Sequence, residues 1–165
     1  MRDSIVIAGA GLMGAGIAAV SALAGNKTAL FDSEPGKAAR GRENALAHCR
    51  ELLNNGLASP DAAARAPELL SADEPERALP GARWVVEAIA ENLEAKRKLF
   101  AWLDSLLPPE VTILSNTSGL RITDISAGMT RHRERAVTAH FWFPAHLVPL
   151  VEVVLGEGTS EDAAM

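Results

Sequence analysis

The sequence has 165 residues, of which 48% are hydrophobic and 22% are charged, and its formal net charge at pH 7 is −5. This length suits one domain with a substantial core, and the acidic balance provides no basic surface for nucleic acid. A single cysteine, Cys49, excludes an internal disulfide and favours a reducing compartment. No apolar run approaches the roughly 20 residues of a membrane-spanning helix and no signal-peptide pattern opens the chain, so we expect a soluble cytoplasmic protein without a membrane partner.

A glycine-rich turn between a short apolar run and a helical pattern opens the chain. The segment GAGLMG places Gly9, Gly11 and Gly14 at G-x-G-x-x-G spacing. In a strand–turn–helix unit the first glycine makes the tight turn, the second lets the backbone approach a pyrophosphate, and the third allows close packing of helix and strand. Leu12 and Met13 open the helix, whose unpaired N–H groups are directed at the phosphates. The stretch predicts a dinucleotide site.

An acidic residue follows this motif at the expected distance. The strand predicted over 28–31 ends at Asp32, about 20 residues after the glycines. A carboxylate there accepts hydrogen bonds from an adenosine ribose and repels a 2′-phosphate. Because Ser33 and Glu34 follow and no arginine does, the sequence predicts NAD in preference to NADP. The alternative is an aspartate that only caps a helix or a turn.

The rest of the chain alternates between helical and strand patterns. The predicted elements are a helix over 37–55, an alanine-rich helix from 59 that ends near Pro67, strands at 69–73 and 84–87, an amphipathic helix from 91 to 107, a strand over 111–114, a short helix over 122–127, and strands over 135–140 and 150–155. The strands are continuous apolar runs without a clean period of two. They predict an α/β fold of the Rossmann type, a doubly wound, mostly parallel sheet with helices on both faces.

The last residues carry the pattern of a helix start. Ser160 is followed by acidic residues, as at the beginning of a helix, and the chain ends one turn later. We therefore expect that residues 1–165 form one dinucleotide-binding domain, truncated before a further helical segment. A frayed, solvated tail is the alternative.

Four histidines are candidates for proton transfer, because the pKa of imidazole lies near neutrality. His48 lies on the long polar helix and His132 lies between two arginines, so both are interpreted as solvated surface residues. His146, in a loop, is ambiguous. His140 ends a predicted strand, where open α/β sheets bind ligands, and is either a catalytic base or a structural histidine. No metal site is predicted.

Glu152 and Ser118 are polar residues that could assist His140. Glu152 stands between two valines of the final strand, and a carboxylate in a buried sheet requires a partner. Bound to an imidazole N–H it would hold the tautomer, although a glutamate on an exposed edge strand has the same pattern. Ser118 lies in a polar turn after a strand and could contact a substrate oxygen, the alternative being turn and capping chemistry.

Four segments together resemble the NAD-binding domain of the 3-hydroxyacyl-CoA dehydrogenases. They are GAGLMG at 9–14, VVEAIAEN at 85–92, SNTSGL at 115–120 and HFWFPAHLVPLVEV at 140–153. The resemblance implies that His140 is the catalytic acid/base, that Glu152 is its partner, and that Ser118 contacts both the substrate oxygen and the cofactor. It also implies that Glu91 and Lys96 line the nicotinamide side of the NAD site. Their alternatives are an acid in the first turn of a helix and a surface lysine.

The resemblance implies an NAD-dependent oxidation of (S)-3-hydroxyacyl-CoA to 3-oxoacyl-CoA, as in fatty-acid β-oxidation. Dehydrogenases of carnitine and gulonate share the motif order and are an alternative, as is an isolated NAD-binding module without activity. Members of the family have a helical second domain that dimerises and closes over the acyl-CoA. We expect a homodimeric full-length protein in which that domain follows the present residues.

Two features depart from the family pattern. The family has H-F-x-N-P after the histidine, and the position of the asparagine is Phe143 here. The helix after the second strand has no lysine-rich face for CoA phosphates, and its basic candidates are Arg40, Arg42 and Arg50. These departures bear on the geometry at the nicotinamide and on the recognition of CoA.

Overall fold

A seven-stranded sheet with helices on both faces is formed by residues 4–164, which a computed structural model describes. Residues 1–3 and 165 of the predicted domain lie outside the described residues. The strands are β1 Ser4–Ala8, β2 Lys27–Phe31, β3 Leu70–Ala72, β4 Trp84–Glu87, β5 Thr112–Ser115, β6 Ala136–Phe141 and β7 Val151–Leu155. The helices are α1 Leu12–Leu23, α2 Lys37–Asn54, α3 Pro60–Leu69, α4 Pro75–Ala78, α5 Leu93–Leu106 and α6 Ile122–Ile125, with short 3₁₀ turns at Ser126–Gly128, Arg133–Arg135 and Glu161–Ala164.

The strand order is β3-β2-β1-β4-β5-β6-β7. Neighbouring strands are parallel except for β6 and β7, which are antiparallel. Since the chain winds outward from β1 in both directions, a crevice opens beyond the carboxyl ends of β1 and β4. This arrangement confirms the predicted Rossmann-type fold.

Each face of the sheet packs against its own apolar core. Val6 and Val85 belong to the core beneath α5, whereas Ile7 and Val86, the next residue of each strand, belong to the core beneath α1 and α2. This alternation explains why the central strands are continuous apolar runs, because both of their faces are covered. Cys49 is buried in the second core, in keeping with its interpretation as a small residue on a helix face.

Strand β7 is an exposed edge of the sheet. It pairs only with β6, and all five of its residues are exposed, although its sequence is as apolar as that of a buried strand. The premise that Glu152 lies in a buried sheet is therefore wrong, and its alternative, an edge-strand glutamate, describes its location. Among the helices of residues 4–164, none is both long and apolar enough to cross a membrane.

Helix α3 continues two residues past Pro67 and ends at Leu69, close to its predicted end. A proline in the last turn removes one N–H, and the end of this helix is held from outside. The guanidinium group of Arg42 donates to the carbonyl oxygens of Pro67 at 3.0 Å and Leu70 at 2.7 Å. Arg42 thus caps α3, which is a structural role.

A buried ion pair anchors the segment that leads into β6. Asp104 Oδ1 lies 2.9 Å from Arg135 Nη2, and the same carboxylate accepts hydrogen bonds from the backbone N–H groups of residues 130–132. Burial alone raises the pKa of Asp104. These hydrogen bonds together lower the pKa by more than burial raises it, so it lies below its usual range. The pair fixes the start of the strand that carries His140.

The predicted cap at Ser160 is present in a short form. Ser160 Oγ accepts a hydrogen bond from Ala163 N at 3.3 Å, and the residues after it form the 3₁₀ turn Glu161–Ala164. A capping serine followed by acidic residues therefore starts a helical turn at this position.

Candidate active site

The glycine loop joins β1 to α1 and leaves space at one position only. Gly9 has a φ of +107°, and a Cβ there would lie 2.6 Å from the Ala88 carbonyl carbon. A Cβ on Gly14 would lie 1.9 Å from the Gly9 carbonyl oxygen. A Cβ on Gly11 would meet nothing within 4 Å. The packing of the chain itself requires Gly9 and Gly14, whereas the space at Gly11 is open to a ligand.

Helix α1 begins with its N-terminus open. Gly11 is the N-cap and makes no side-chain hydrogen bond, and the first turn contains no acidic residue. Leu12 and Met13 begin the helix, and the Leu12 side chain is exposed. The N–H groups of this turn and the positive end of the helix dipole suit a bound diphosphate.

Asp32 connects the end of β2 to the glycine loop. Its Oδ2 accepts a hydrogen bond from Ala10 N at 2.9 Å, and its Oδ1 accepts one from Glu34 N at 3.0 Å. The turn role that was the alternative is therefore present. Oδ2 also faces the Lys37 ammonium group at 3.5 Å, whereas Oδ1 retains a second acceptor site for a ribose hydroxyl. Burial alone raises the pKa of Asp32. The two backbone hydrogen bonds and the Lys37 ammonium group together lower the pKa by more than burial raises it, so it lies below its usual range.

Ser118, His140 and Glu152 form a continuous hydrogen-bonded chain. Ser118 Oγ lies 3.0 Å from His140 Nε2, and His140 Nδ1 lies 2.8 Å from Glu152 Oε2. His140 and Glu152 are directly opposite each other in the antiparallel pair of β6 and β7, so strand register brings them together. The three side chains line a cavity of about 330 Å³.

The indole of Trp142 is a further partner of Glu152 that the sequence analysis missed. Its Nε1 donates a hydrogen bond to Glu152 Oε2 at 3.1 Å. The sequence gives no local signal for this contact, because Trp142 lies one residue beyond the end of β6, where the alternation of faces along a strand no longer applies. Hydrogen bonds from His140 and Trp142 lower the pKa of Glu152.

These hydrogen bonds assign the tautomer of His140. An ionised carboxylate only accepts hydrogen bonds, so the Nδ1 atom that faces Glu152 carries the proton. When the ring is neutral, Nε2 holds a lone pair, to which the Ser118 hydroxyl donates. A neutral imidazole with this lone pair in an open cavity is suited to accept a proton from a hydroxyl group.

Glu91 lies behind the turn that carries Ser118. It precedes the N-cap of α5 and is not an acid of its first turn. Glu91 Oε1 accepts hydrogen bonds from Thr117 Oγ1 at 2.6 Å, Ser118 N at 3.2 Å and Gly119 N at 3.1 Å. Burial alone raises the pKa of Glu91. The hydrogen bonds from Thr117 and Gly119 and the charge of Lys96 together lower the pKa by more than burial raises it, so it lies below its usual range. Glu91 positions the Ser118 turn.

Lys96 is buried behind Glu91, with only 1% of its side chain exposed, so the surface-lysine alternative is wrong. Its Nζ lies 2.5 Å from Glu87 Oε1 and 3.3 Å from Glu91 Oε2. Glu87 is fully buried at the end of β4 and also accepts hydrogen bonds from Ser115 Oγ at 2.6 Å and Ile89 N at 2.8 Å. Lys96 therefore does not line the cleft and acts on it through its contact with Glu91. Glu87 supports Lys96 from the core and was not predicted from the sequence.

The loop after β6 presents two exposed aromatic residues, Trp142 and Phe143. Phe143 is 66% exposed, at the position where the family pattern has asparagine. The amide oxygen of Asn116, at the end of β5, accepts a hydrogen bond from Phe141 N at 2.8 Å and ties β5 to β6. Phe143 is thus an exposed apolar ring three residues after His140.

The remaining histidines divide into two kinds. His132 is partly exposed and its Nδ1 lies 3.3 Å from Glu134 Oε1, in agreement with a surface location. His48 is half-buried and stacks on the imidazole of His146, with ring centroids 3.7 Å apart. The interpretation of His48 as a solvated surface residue is wrong, because the loop after β6 covers it.

The sheet order, the glycine loop and the carboxylate after β2 define a dinucleotide-binding domain of the Rossmann type. The family model described as 3-hydroxyacyl-CoA dehydrogenase, NAD binding domain, matches residues 4–165. The chain belongs to this family, and the predicted cofactor, NAD, is confirmed at the level of the family. The open space at Gly11, the uncapped α1 and the Asp32 carboxylate fit this dinucleotide.

The sequences of several named proteins align with nearly the whole chain. The probable 3-hydroxybutyryl-CoA dehydrogenase of Bacillus subtilis (strain 168) is 35% identical over 161 residues, which are 98% of this chain and 56% of that protein. The L-carnitine dehydrogenase of Mesorhizobium japonicum is 31% identical over 155 residues, 94% of this chain and 42% of that protein. The crystal structure of 3-hydroxybutyryl-CoA dehydrogenase from Escherichia coli K12 matches with a TM-score of 0.91 at 33% identity, over 99% of this chain and 34% of that one. The chain spans between 34% and 56% of these proteins.

Proposed function

We propose that this chain is the NAD-binding part of an oxidoreductase that converts an (S)-3-hydroxyacyl-CoA to a 3-oxoacyl-CoA. The supporting observation is the hydrogen-bonded chain of Ser118, His140 and Glu152, which leaves a lone pair on His140 Nε2 beside a cavity. The names of the relatives from Bacillus subtilis and Escherichia coli support the substrate class.

In this reaction His140 handles the proton. NAD⁺, when bound, supplies the acceptor for the hydride that leaves C3 of the substrate. As the C3–H bond breaks and the C3–O bond becomes a carbonyl, the hydroxyl proton passes to His140 Nε2. The resulting imidazolium donates its Nδ1–H to Glu152, whose negative charge stabilises it. Ser118 donates a hydrogen bond from its hydroxyl group to the substrate oxygen instead of to Nε2.

The remaining residues of the proposed site hold the cofactor or shape the site. Gly11, Leu12 and Met13 offer space and backbone N–H groups to the diphosphate, and Asp32 accepts hydrogen bonds from the adenosine ribose. Gly9 and Gly14 keep the loop in the required form. Glu91 holds the Ser118 turn on the nicotinamide side, and Lys96 fixes the Glu91 carboxylate from below.

A comparison of substrates tests this proposal. NADH formation by the complete natural protein is measured with (S)-3-hydroxybutyryl-CoA, L-carnitine and gulonate. We expect the highest kcat/KM with the thioester, (S)-3-hydroxybutyryl-CoA. A higher kcat/KM with carnitine or gulonate contradicts it.

The arginines of α2 favour a second candidate, a dehydrogenase of a hydroxy acid without CoA. Arg42 caps α3, and Arg40 forms an ion pair of 2.7 Å with Glu34, so phosphate contacts by either residue compete with existing bonds. Arg50 is exposed. The likeness to an L-carnitine dehydrogenase agrees with this candidate, and the same substrate panel distinguishes the two. A complete protein that binds NAD⁺ but oxidises none of the panel is instead a binding module.

We also propose that the complete protein is a cytoplasmic homodimer. The exposed apolar residues of β7, including Val153 and Val154, provide surface for contact with a further domain or subunit. A buried free thiol, Cys49, suits a reducing compartment. Light scattering by the complete protein tests the dimer, and fractionation of the cells that produce it tests the compartment.

A further inference from the structure

A cluster of two histidines and a glutamate lies apart from the residues assigned above. His48 and Glu51 are three residues apart on α2, and His146 comes from the loop between β6 and β7. Glu51 Oε2 lies 3.2 Å from His146 Nε2 and 3.6 Å from His48 Nδ1. The two imidazole rings stack at an interplanar angle of 23°, so one ring must turn before the lone pairs of both nitrogen atoms can point at a single ion. One carboxylate oxygen therefore faces a nitrogen atom of each ring.

The donor atoms of this cluster have the spacing of a metal site. One ligand atom from each residue lies within 4.8 Å of the others. In a tetrahedral zinc site with bonds of about 2.0–2.2 Å, neighbouring ligand atoms are about 3.4 Å apart. Glu51 Oε2 lies 3.2 Å from His146 Nε2 and 3.6 Å from His48 Nδ1, and these two separations bracket that value. Two imidazoles and one carboxylate are also a ligand set that zinc takes, with the fourth position open to water.

The two rings are largely enclosed, whereas the carboxylate is accessible. The side chains of His146 and His48 are 8% and 23% exposed, whereas Glu51 is 48% exposed. The loop packs directly on α1, since a Cβ on Gly16 would lie 3.1 Å from Ala145 Cβ and 3.4 Å from His146 N.

We propose that His48, Glu51 and His146 bind one Zn²⁺ ion. The ion joins α2 to the loop that follows His140, across 95 residues of sequence between Glu51 and His146. It thereby couples the helix after Asp32 to the loop that carries Trp142 and Phe143. The sequence analysis assigned no metal site, because His48 and Glu51 alone are an ordinary pair on a polar helix.

Calorimetric titration of the metal-free 165-residue chain with zinc chloride tests this proposal, with thermal unfolding as a second readout. We expect one ion per chain and a rise in Tm, since an ion that binds only the folded state stabilises it. His48→Gln and His146→Gln each remove a ligand and weaken zinc binding by at least about tenfold. Circular dichroism and NAD⁺ titration verify that both variants are folded.

Two matched variants locate the binding. His132→Gln alters a histidine that pairs with Glu134 at the surface, and His140→Gln alters the histidine of the cavity. Both are expected to bind zinc as the parent chain does, with the same rise in Tm. The proposal is overturned if the parent chain binds no zinc, if the double variant of His48 and His146 still binds it, or if binding disappears with His140→Gln.

Discussion

The ammonium group of Lys96 lies 3.3 Å from one oxygen of Glu91, while the other oxygen of that carboxylate holds the backbone of the Ser118 turn. On its other side Lys96 pairs with the buried Glu87. A cation in the core thus fixes a carboxylate at the surface, and the carboxylate fixes the serine beside His140. The position of Ser118 depends on charges that lie beneath the cleft.

Removal of Lys96 leaves Glu87 buried without its charge partner. We expect Lys96→Met to lower the free energy of unfolding by about 3–5 kcal/mol, the usual cost of breaking a buried ion pair from one side. Urea unfolding measures this loss. Lys98→Met, at an exposed position of the same helix, is the matched control and is expected to change stability by less than about 0.5 kcal/mol. Equal stabilities of the two variants would contradict the role given to Lys96.

Two glycine variants distinguish a glycine that the fold needs for packing from a glycine that leaves space for a ligand. Gly14→Ala places a methyl group 1.9 Å from a backbone oxygen, and we expect it to destabilise the fold by at least about 2 kcal/mol. Gly11→Ala meets no atom of the chain, so its stability stays within about 1 kcal/mol of the parent. The new methyl group of Gly11→Ala occupies the proposed diphosphate space. We therefore expect the NAD⁺ affinity of this variant to fall at least about tenfold. Urea unfolding and calorimetry measure both properties, and normal NAD⁺ binding by Gly11→Ala places the diphosphate elsewhere.

The lowered pKa of Asp32 makes part of the stability depend on pH. A carboxyl group whose folded-state pKa is lowered contributes stability above its unfolded-state pKa of about 3.9, and loses that contribution as the pH falls through the folded-state value. The parent chain is therefore expected to exceed Asp32→Asn in stability by a constant amount near neutrality, with the difference shrinking below about pH 4. Urea unfolding at a series of pH values measures it, with the exposed Asp61→Asn as a control. A difference that does not change with pH is the contrary result.

The hydrogen bond from Trp142 gives a prediction at the cavity. Trp142→Phe keeps an aromatic ring but removes the indole N–H that helps lower the pKa of Glu152. We expect the pKa of the Glu152 carboxyl group to rise toward its ordinary value, as observed by NMR titration. Trp102→Phe changes a tryptophan of α5 that packs against Phe31, and it leaves the titration of Glu152 unchanged. An unchanged titration in Trp142→Phe would show that the indole does not act on this carboxylate.

The sequence predicted the features that local patterns determine. The glycine loop, the strand that ends at Asp32 and the order of helices and strands follow from spacing within single elements. The pairing of His140 with Glu152 was proposed from the wrong premise of a buried strand, since the antiparallel register of an exposed edge is what brings them together.

Contacts between distant elements left no local pattern to detect. Lys96 follows a helical spacing compatible with a surface position, and only the burial of Glu87 at the end of β4 shows why the lysine turns inward. The stacking of His48 on His146 depends on how the loop after β6 lies on α1. These arrangements are set by tertiary packing, which overrides the polar pattern of each segment.

The turnover of His140→Gln measures whether His140 takes the proton in the proposed oxidation. In the complete natural protein, with the substrate preferred in the panel, we expect kcat to fall by at least about 100-fold. Because His140 lies outside the glycine loop, the Kd of NAD⁺ is expected to stay within about threefold of the parent value. Turnover close to that of the parent protein, with NAD⁺ binding intact, would show that His140 does not take the proton.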